Sequence, residues 1–327
     1  MAAPLAVTMG DPAGVGPDIT LATWQALKAS GPAFFVAGDP ALYGDHAVAI
    51  AEPEEAQGLF NTHIPVLPFP LPSAAIPGQP DAANAPAVLA SIEQSVALVR
   101  AGQASAVVTN PIAKSVLYTA GFRHPGHTEF IADLTRNIDQ PGPRGPVMML
   151  AGNLLRVALV SIHKPLRTML DELSVDAIVH TAKVTAAALK WDFGIASPRL
   201  ALAGLNPHAG EAGSLGREEI EIVQPAAEQL RAQGIDISDP MPPDAMFHAE
   251  ARAQYDAAVC LYHDQGLIPF KALDFWSGVN VTLGLPIVRT SPDHGTGFDI
   301  AGQRIAKPDS LIAAIRMAAD MAARRSS

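Results

Sequence analysis

Tyr255-Asp-Ala-Ala-Val-Cys-Leu-Tyr-His-Asp-Gln-Gly-Leu-Ile-Pro-Phe-Lys271 decides how this chain is read. The apolar run Ala257 to Leu261 has the length and polar bounding of a buried parallel strand, and it delivers His263 and Asp264 to that strand's C-terminal end. Open α/β sheets keep their ligands at such ends. Farther on, Lys271, Asn280 and Arg289 are expected at strand or loop ends. A cation, an amide and a guanidinium suit an anionic, phosphorylated substrate.

The same alternation of short apolar runs and helical spacing recurs outward from this stretch, which predicts an α/β fold. Leu5 to Met9 reads as a buried strand, and Gly10-Asp-Pro-Ala-Gly-Val-Gly-Pro17 leads into a helix from about Asp18 to Ser30, with Pro17 in its first turn. That loop has the look of a phosphate cradle but is neither G-x-G-x-x-G nor a P-loop, and on its own it reads first as a structural corner. Further strands are expected at Ala33 to Ala37, near Ile64 to Leu67 at an edge, at Ala106 to Thr109 and at Leu200 to Ala203. Helices are expected over Asn84 to Ala101, Ser174 to Leu189, Arg217 to Gln233 and Pro308 to Arg325. Ala151-Gly-Asn predicts a hairpin between Val147 to Leu150 and Arg156 to Val160. The Pro/Gly-rich segment Asn137 to Pro146 is the candidate crossing between two domains, 1–136 with 300–327 and 137–299.

A length of 327 residues accommodates two domains or one large one. Hydrophobic residues make up 49% and charged residues 17%, so much surface is expected to be covered by a second copy of the chain. A net charge of -10 argues against nucleic acid or an anionic membrane as partner, and any phosphate must be held by a local cluster. The single cysteine, Cys260, reads as a small apolar strand residue in a reducing compartment rather than as a nucleophile. Met-Ala-Ala-Pro-Leu-Ala-Val lacks the charged start and apolar core of a signal peptide, and no membrane span is expected. The expectation is a soluble, cytoplasmic protein.

Chemistry collects after the strands. Asn110 and Lys114 follow one, as a plausible ligand wall, and Gly126-His127-Thr128 opens a helix whose free N–H groups and hydroxyl suit an anion. His163, His208 and His263 each follow an apolar run, 45 and then 55 residues apart. In a sheet whose strand ends share one edge the three imidazoles can converge, and three neutral imidazoles with an open fourth position describe a catalytic divalent-metal site. Each histidine taken singly reads as a hydrogen-bonded loop residue.

Gly10-Asp-Pro-Ala-Gly-Val-Gly-Pro17, Gly126-His-Thr-Glu129, His163-Lys-Pro, Asn206-Pro-His-Ala-Gly-Glu211, Tyr262-His-Asp-Gln-Gly266 and Asp293-His-Gly-Thr-Gly-Phe-Asp-Ile-Ala-Gly302 together resemble the 4-hydroxythreonine-4-phosphate dehydrogenase family of pyridoxal phosphate biosynthesis. The last motif is also similar to a loop of isocitrate and isopropylmalate dehydrogenases. The resemblance implies two α/β/α domains around a cleft in that dehydrogenase-like fold, without a Rossmann fingerprint. It implies that His163, His208 and His263 bind a divalent metal, Zn²⁺ first and Mg²⁺ or Co²⁺ as alternatives, with one histidine coming from the neighbouring subunit of a homodimer. It implies substrate contacts from His127, Thr128, Lys271, Asn280 and Arg289, and NAD or NADP held by Asp293, His294, Gly295, Thr296 and Asp299.

The expected reaction is oxidation of 4-(phosphooxy)-L-threonine to a 3-oxo acid that decarboxylates to 3-amino-2-oxopropyl phosphate. Lys271 and Asp264 are the candidates for removing the hydroxyl proton. Alternative substrates are D-threonate or D-erythronate 4-phosphate and aromatic cis-dihydrodiol carboxylates. A noncatalytic metal-dependent binding protein is the rival from another class.

Overall fold

The computed structural model describes residues 3–326; Met1, Ala2 and Ser327, which the N-terminal and domain readings include, lie outside the described residues. In chain order the strands are β1 (Leu5–Thr8), β2 (Phe34–Gly38), β3 (Ala47–Ala49), β4 (Ile64–Pro68), β5 (Val107–Val108), β6 (Val147–Ala151), β7 (Arg156–Leu159), β8 (Arg199–Leu202), β9 (Asp236–Ile237), β10 (Ala257–Cys260), β11 (Val279–Leu283) and β12 (Arg289–Pro292). The chain divides into two compact units, 1–139 with 285–327 and 140–284. It leaves the first unit inside the Pro/Gly-rich segment 137–146 and returns at 284/285, not at the expected 299/300. The physical reason is strand pairing: β12 lies parallel to β5, Arg289 opposite Val107 and Thr290 opposite Val108.

In the first unit the strand order is β3-β4-β2-β1-β5-β12, with every neighbouring pair parallel. Its strands read as unbroken apolar runs because both faces are covered, and Leu5, Ala6, Val7, Phe34, Phe35, Val36 and Val107 are all buried. Ile64–Pro68, expected at the edge, is second from it. The three-residue β3 pairs outside it, with Ala47 opposite Ile64, and is too short to leave a periodic signal. The helix Ala85–Arg100 buries Val88, Ile92 and Val96 in this unit's core. Residues 82–100 form the one described stretch long and apolar enough to cross a membrane, and half of it is buried inside the protein, as expected of a core helix.

In the second unit the order is β11-β6-β7-β10-β8-β9. β6 and β7 form the expected antiparallel hairpin, Leu150 opposite Val157, and β11 pairs antiparallel with β6. From β7 through β10 and β8 to β9, each successive pair is parallel. Three adjacent strands, β7, β10 and β8, therefore end at the same sheet edge, and each is followed by one of the candidate histidines. The helix Val175–Trp191, capped by Ser174 Oγ accepting from the Ala177 N–H, packs Ile178, Val179, Ala182 and Leu189 against β8 and β10.

Candidate active site

Within the second unit, β7 runs into Ser161-Ile-His163 and β10 runs into Tyr262-His263, the first residue of the helix His263–Leu273. Because Cys260 pairs with Leu159, residues one hundred positions apart in sequence leave the sheet side by side. The imidazole centroids of His163 and His263 lie 5.7 Å apart, tilted by 44°. Both line a pocket of about 250 Å³ with Ser161, Lys164, Tyr262 and Asp264. His263 Nδ1 is hydrogen-bonded to Asp264 Oδ1 at 2.7 Å, which fixes the ring and leaves Nε2 as its outward donor atom. Two such imidazoles supply two positions of a divalent-metal shell.

His208 follows the third strand, β8, but does not line that pocket. Among the described residues no three His, Cys, Asp or Glu side chains stand close enough to hold one ion. The strand ends bring two imidazoles together in one chain, a pair suited to share an ion, and do not bring His208 to them. His208 instead opens a left-handed turn. Residues 208–212 have φ of 52°, 50°, 77°, 42° and 54°, and only Gly210 among them lacks a side chain. Each non-glycine residue in that conformation costs roughly 1–2 kcal/mol, so other contacts must hold the turn.

Those contacts come from residues that sequence reasoning missed. Glu219, 5% exposed, accepts the Leu205 and Asn206 N–H groups on Oε1, each at 2.7 Å, and Asn206 Nδ2 on Oε2 at 2.9 Å. Buried Gln265 accepts the Leu261 N–H at 2.7 Å and donates to the Gly204 carbonyl at 2.6 Å, tying the end of β10 to the end of β8. Both occur inside polar, helix-like stretches where a carboxylate or amide is ordinarily a solvated face, and no spacing marks them.

Lys271 lies in the last turn of the helix His263–Leu273 rather than at a strand or loop end, its Nζ 5.1 Å from the Phe275 ring centroid. The apolar run that ends at Leu261 passes directly into a helix capable of carrying it, and Pro269 does not break that helix. Asn280 sits on β11 opposite Leu150, and its Oδ1 is buried with no hydrogen-bond partner among the described residues. An amide oxygen in that state is suited to a ligand donor.

The first unit holds a different kind of site. Arg289, at the start of β12, is 3% exposed and donates from Nη2 to Thr109 Oγ1 at 2.6 Å. Burial brings its pKa down to about 10, with Glu129 acting in the opposite direction, so the guanidinium stays charged at neutral pH. His127 begins the helix His127–Leu134 with Thr128 beside it, and its Nε2 is shut from solvent with no hydrogen-bond partner among the described residues. Desolvation first, then the charges of Arg289 and Lys114, hold its pKa well below the ordinary 6.5. His127 is therefore a neutral imidazole among cations, able to donate or accept toward an anion. Gly126 makes this corner tight: a Cβ there would lie 3.2 Å from Lys114 Cε. Lys114 thus belongs to the corner, as its place after β5 suggested.

The loop Asp293–Gly302 is partly exposed, with His294, Gly295 and Asp299 in solvent. The Thr296 carbonyl accepts the Val15 N–H at 2.8 Å, and the Gly302 N–H bonds Asp18 Oδ2 at 2.7 Å. The N–H groups of Asp11, Ala13, Gly14 and Val15 all find protein acceptors. The Gly10–Pro17 loop is thus a brace for Asp293–Gly302 and not a phosphate cradle. Gly14 permits the contact, since a Cβ there would come within 2.8 Å of the Thr296 oxygen. Cys260 is fully buried in β10, and desolvation pushes its thiol up to about 12, which disfavours the thiolate.

The family described as pyridoxal phosphate biosynthetic protein PdxA matches residues 32–318 of this sequence. The chain belongs to that family. Among PdxA relatives, the 4-hydroxythreonine-4-phosphate dehydrogenase of Caulobacter vibrioides is 56% identical, the match covering 98% of each chain. The solved 4-hydroxythreonine-4-phosphate dehydrogenase of Klebsiella pneumoniae superposes with a TM-score of 0.86 at 38% identity, again over 98% of each chain. A terephthalate 1,2-cis-dihydrodiol dehydrogenase from Burkholderia xenovorans LB400 is farther off, at 28% identity and a TM-score of 0.65 over 98% of each chain. Both the sequence and the backbone lie nearer the hydroxythreonine phosphate enzymes than the dihydrodiol enzyme.

Proposed function

We propose that the chain oxidises 4-(phosphooxy)-L-threonine with NAD or NADP, in a divalent-metal-dependent reaction, on the route to pyridoxal 5'-phosphate. The secondary alcohol loses a hydride to the nicotinamide and its hydroxyl proton to a base, giving a 3-oxo acid. The bond to the carboxyl carbon then breaks, its electron pair passing into the adjacent carbonyl as an enolate while CO₂ leaves, and that carbon takes up a proton to give 3-amino-2-oxopropyl phosphate. The observation that carries this reading is the pairing of His163 with His263 at 5.7 Å.

His163, His263 and His208 are the metal ligands in this reading, with Zn²⁺ the first expectation and Mg²⁺ or Co²⁺ alternatives. These histidines would hold the ion, which when bound would supply Lewis-acid polarisation of an alcohol oxygen. Asp264 holds the His263 ring through Nδ1. Arg289 and Lys271 anchor the anionic groups of the substrate, each charged hydrogen bond contributing roughly 1.5–3 kcal/mol. His127, Thr128 and Asn280 complete the substrate contacts, the neutral imidazole and the amide orienting without adding charge. Lys271 and Asp264 are the candidates for accepting the hydroxyl proton. Asp293, His294, Gly295, Thr296 and Asp299 contact the adenosine side of the nicotinamide cofactor.

A homodimer completes the metal shell in this reading, the partner subunit supplying one histidine so that the active site lies at the subunit interface. Two features support it: His208 stands apart from the other two histidines, and Leu166, Leu170, Ile268, Phe275 and Trp276 are exposed on the second unit. Apolar surface on that scale favours a second copy over water. The chain works in the cytoplasm.

The test is nicotinamide reduction by the purified protein with 4-(phosphooxy)-L-threonine, D-erythronate 4-phosphate, D-threonate 4-phosphate and a cis-dihydrodiol carboxylate, before and after chelation. Chelator-sensitive turnover of the first compound above the others is expected. Turnover that survives complete metal removal, or a preference for another substrate, would overturn the reading.

A further inference from the structure

The left-handed turn at 208–212 cannot hold itself, since four of its residues carry side chains at positive φ. What grips it is a carboxylate reaching back from the π-helical turn Glu219–Val223. Glu219 Oε1 receives two backbone N–H groups, from Leu205 and Asn206, the residues that carry the chain from β8 into the turn. Its Oε2 receives Asn206 Nδ2 and lies where a side chain at Gly210 would be, 2.7 Å from an added Cβ. Asn206 is gripped twice, because Nδ2 also donates to Glu218 Oε2 at 2.7 Å. Gly216 lets it approach: a Cβ there would stand 2.3 Å from the same nitrogen.

We propose that Glu219 is the positioning residue for His208, fixing through the Leu205–Asn206 backbone the direction in which this imidazole leaves the sheet edge. The proposal rests on the reading of His208 as a metal ligand and adds to it. Glu219 touches neither metal nor substrate. It acts by satisfying two backbone donors and one amide with a buried carboxylate in the strained conformation, which offsets the cost of the turn. Glutamine has the same shape but presents a donor where the carboxylate has an acceptor, so Glu219→Gln must set its NH₂ against either Asn206 Nδ2 or the two backbone N–H groups. Either orientation releases part of the turn.

The experiment measures Zn²⁺ and Co²⁺ affinity of the metal-free full-length protein by competition with a chromogenic chelator. Wild type is compared with Glu219→Gln, His208→Ala and the double variant. Loss of a supporting residue of this kind weakens metal binding by about 10- to 100-fold. Glu219→Gln is expected to fall in that range, His208→Ala at least as far, and the double variant no farther than His208→Ala alone, because a residue that acts through His208 has nothing left to act on. Wild-type affinity in Glu219→Gln with loss in His208→Ala would overturn the positioning role and leave the metal reading standing. Additive losses would also overturn it, placing the effect of Glu219 elsewhere. Wild-type affinity in His208→Ala would remove the metal reading itself. If Glu219→Gln does not fold, Asn206→Ala, which removes the amide and keeps both backbone bonds, is expected to show a smaller loss that His208→Ala likewise masks. No loss in Asn206→Ala, or an additive one, would overturn the proposal.

Discussion

Arg289 and His163 are both candidate ligand residues, yet the first lies 3% exposed behind Thr109 while the second stands in solvent beside His263. The contrast extends to their surroundings. Around Arg289 the first unit assembles Lys114, His127 and Glu129 from a single chain, closed tightly enough to keep an imidazole neutral. Around His163 the second unit offers an exposed imidazole beside the half-buried one of His263, with a third on the neighbouring strand end. A site for a fixed anionic group gains from desolvation before the ligand arrives, because its charges are then pre-oriented and unscreened. A site for an exchangeable ion must keep positions open. The two units follow these opposite requirements using the same device, side chains placed just beyond the ends of strands.

The largest expected effect tests the open site. His263→Ala removes one imidazole of the pair and should lower kcat by at least about 10²–10³-fold, the scale of losing one electrostatic contact to developing charge. Metal content, measured on the same preparation, should fall with it. A metal-replete, active variant would make the exposed pair a surface coincidence.

Next comes the closed site. Arg289→Lys keeps the charge and loses the planar fork that reaches Thr109 Oγ1. KM for the phosphorylated substrate should rise about 10- to 100-fold, with kcat changed less. Equal loss in both parameters would place Arg289 at the reacting atoms instead of at an anchoring group.

The neutrality of His127 can be checked through stability. In the unfolded chain this ring takes up a proton near the ordinary 6.5, and in the folded protein it resists doing so until well below that. Between those points the unfolded state binds more protons, so the contribution to stability is fully present above 6.5 and is lost as pH falls toward the folded value. His127→Gln should flatten urea-measured stability against pH in that window by up to about 1.4 kcal/mol per pH unit. An unchanged slope would mean the ring takes up its proton alike in the folded and unfolded chain.

The smallest effect concerns Cys260, three residues before His263 and buried in β10. A thiol buried and pushed up to about 12 should resist alkylation in the native protein and react fully only after denaturation. Stoichiometric labelling of the folded, metal-loaded enzyme would show that β10 is looser than its packing indicates.

Much of this was legible in the residues. Apolar runs flanked by Gly, Pro and polar residues marked β1, β2, β7, β8 and β10, since a strand covered on both faces has no alternation to disguise it. The Ala151-Gly-Asn hairpin was equally plain. The three-residue β3 was too short for any period, and the return of the chain through β12 depended on a pairing with Val107 that no local signal announces. Lys271 was misplaced because the apolar content between Leu267 and Phe270 serves a helix as well as a loop leaving a strand.

The sequence by itself determined the class of fold, the membership of the chain in its family and which imidazoles, cations and amides stand after strands, because local patterning and residue chemistry are written in order along the chain. Only the tertiary structure decided that His163 and His263 meet while His208 stands apart, that His127 is neutral, and that Glu219 and Gln265 hold the turns between them. Those outcomes depend on strand order, on desolvation and on hydrogen bonds between distant segments. None of these has a sequence period, and each arises only when the chain is closed upon itself.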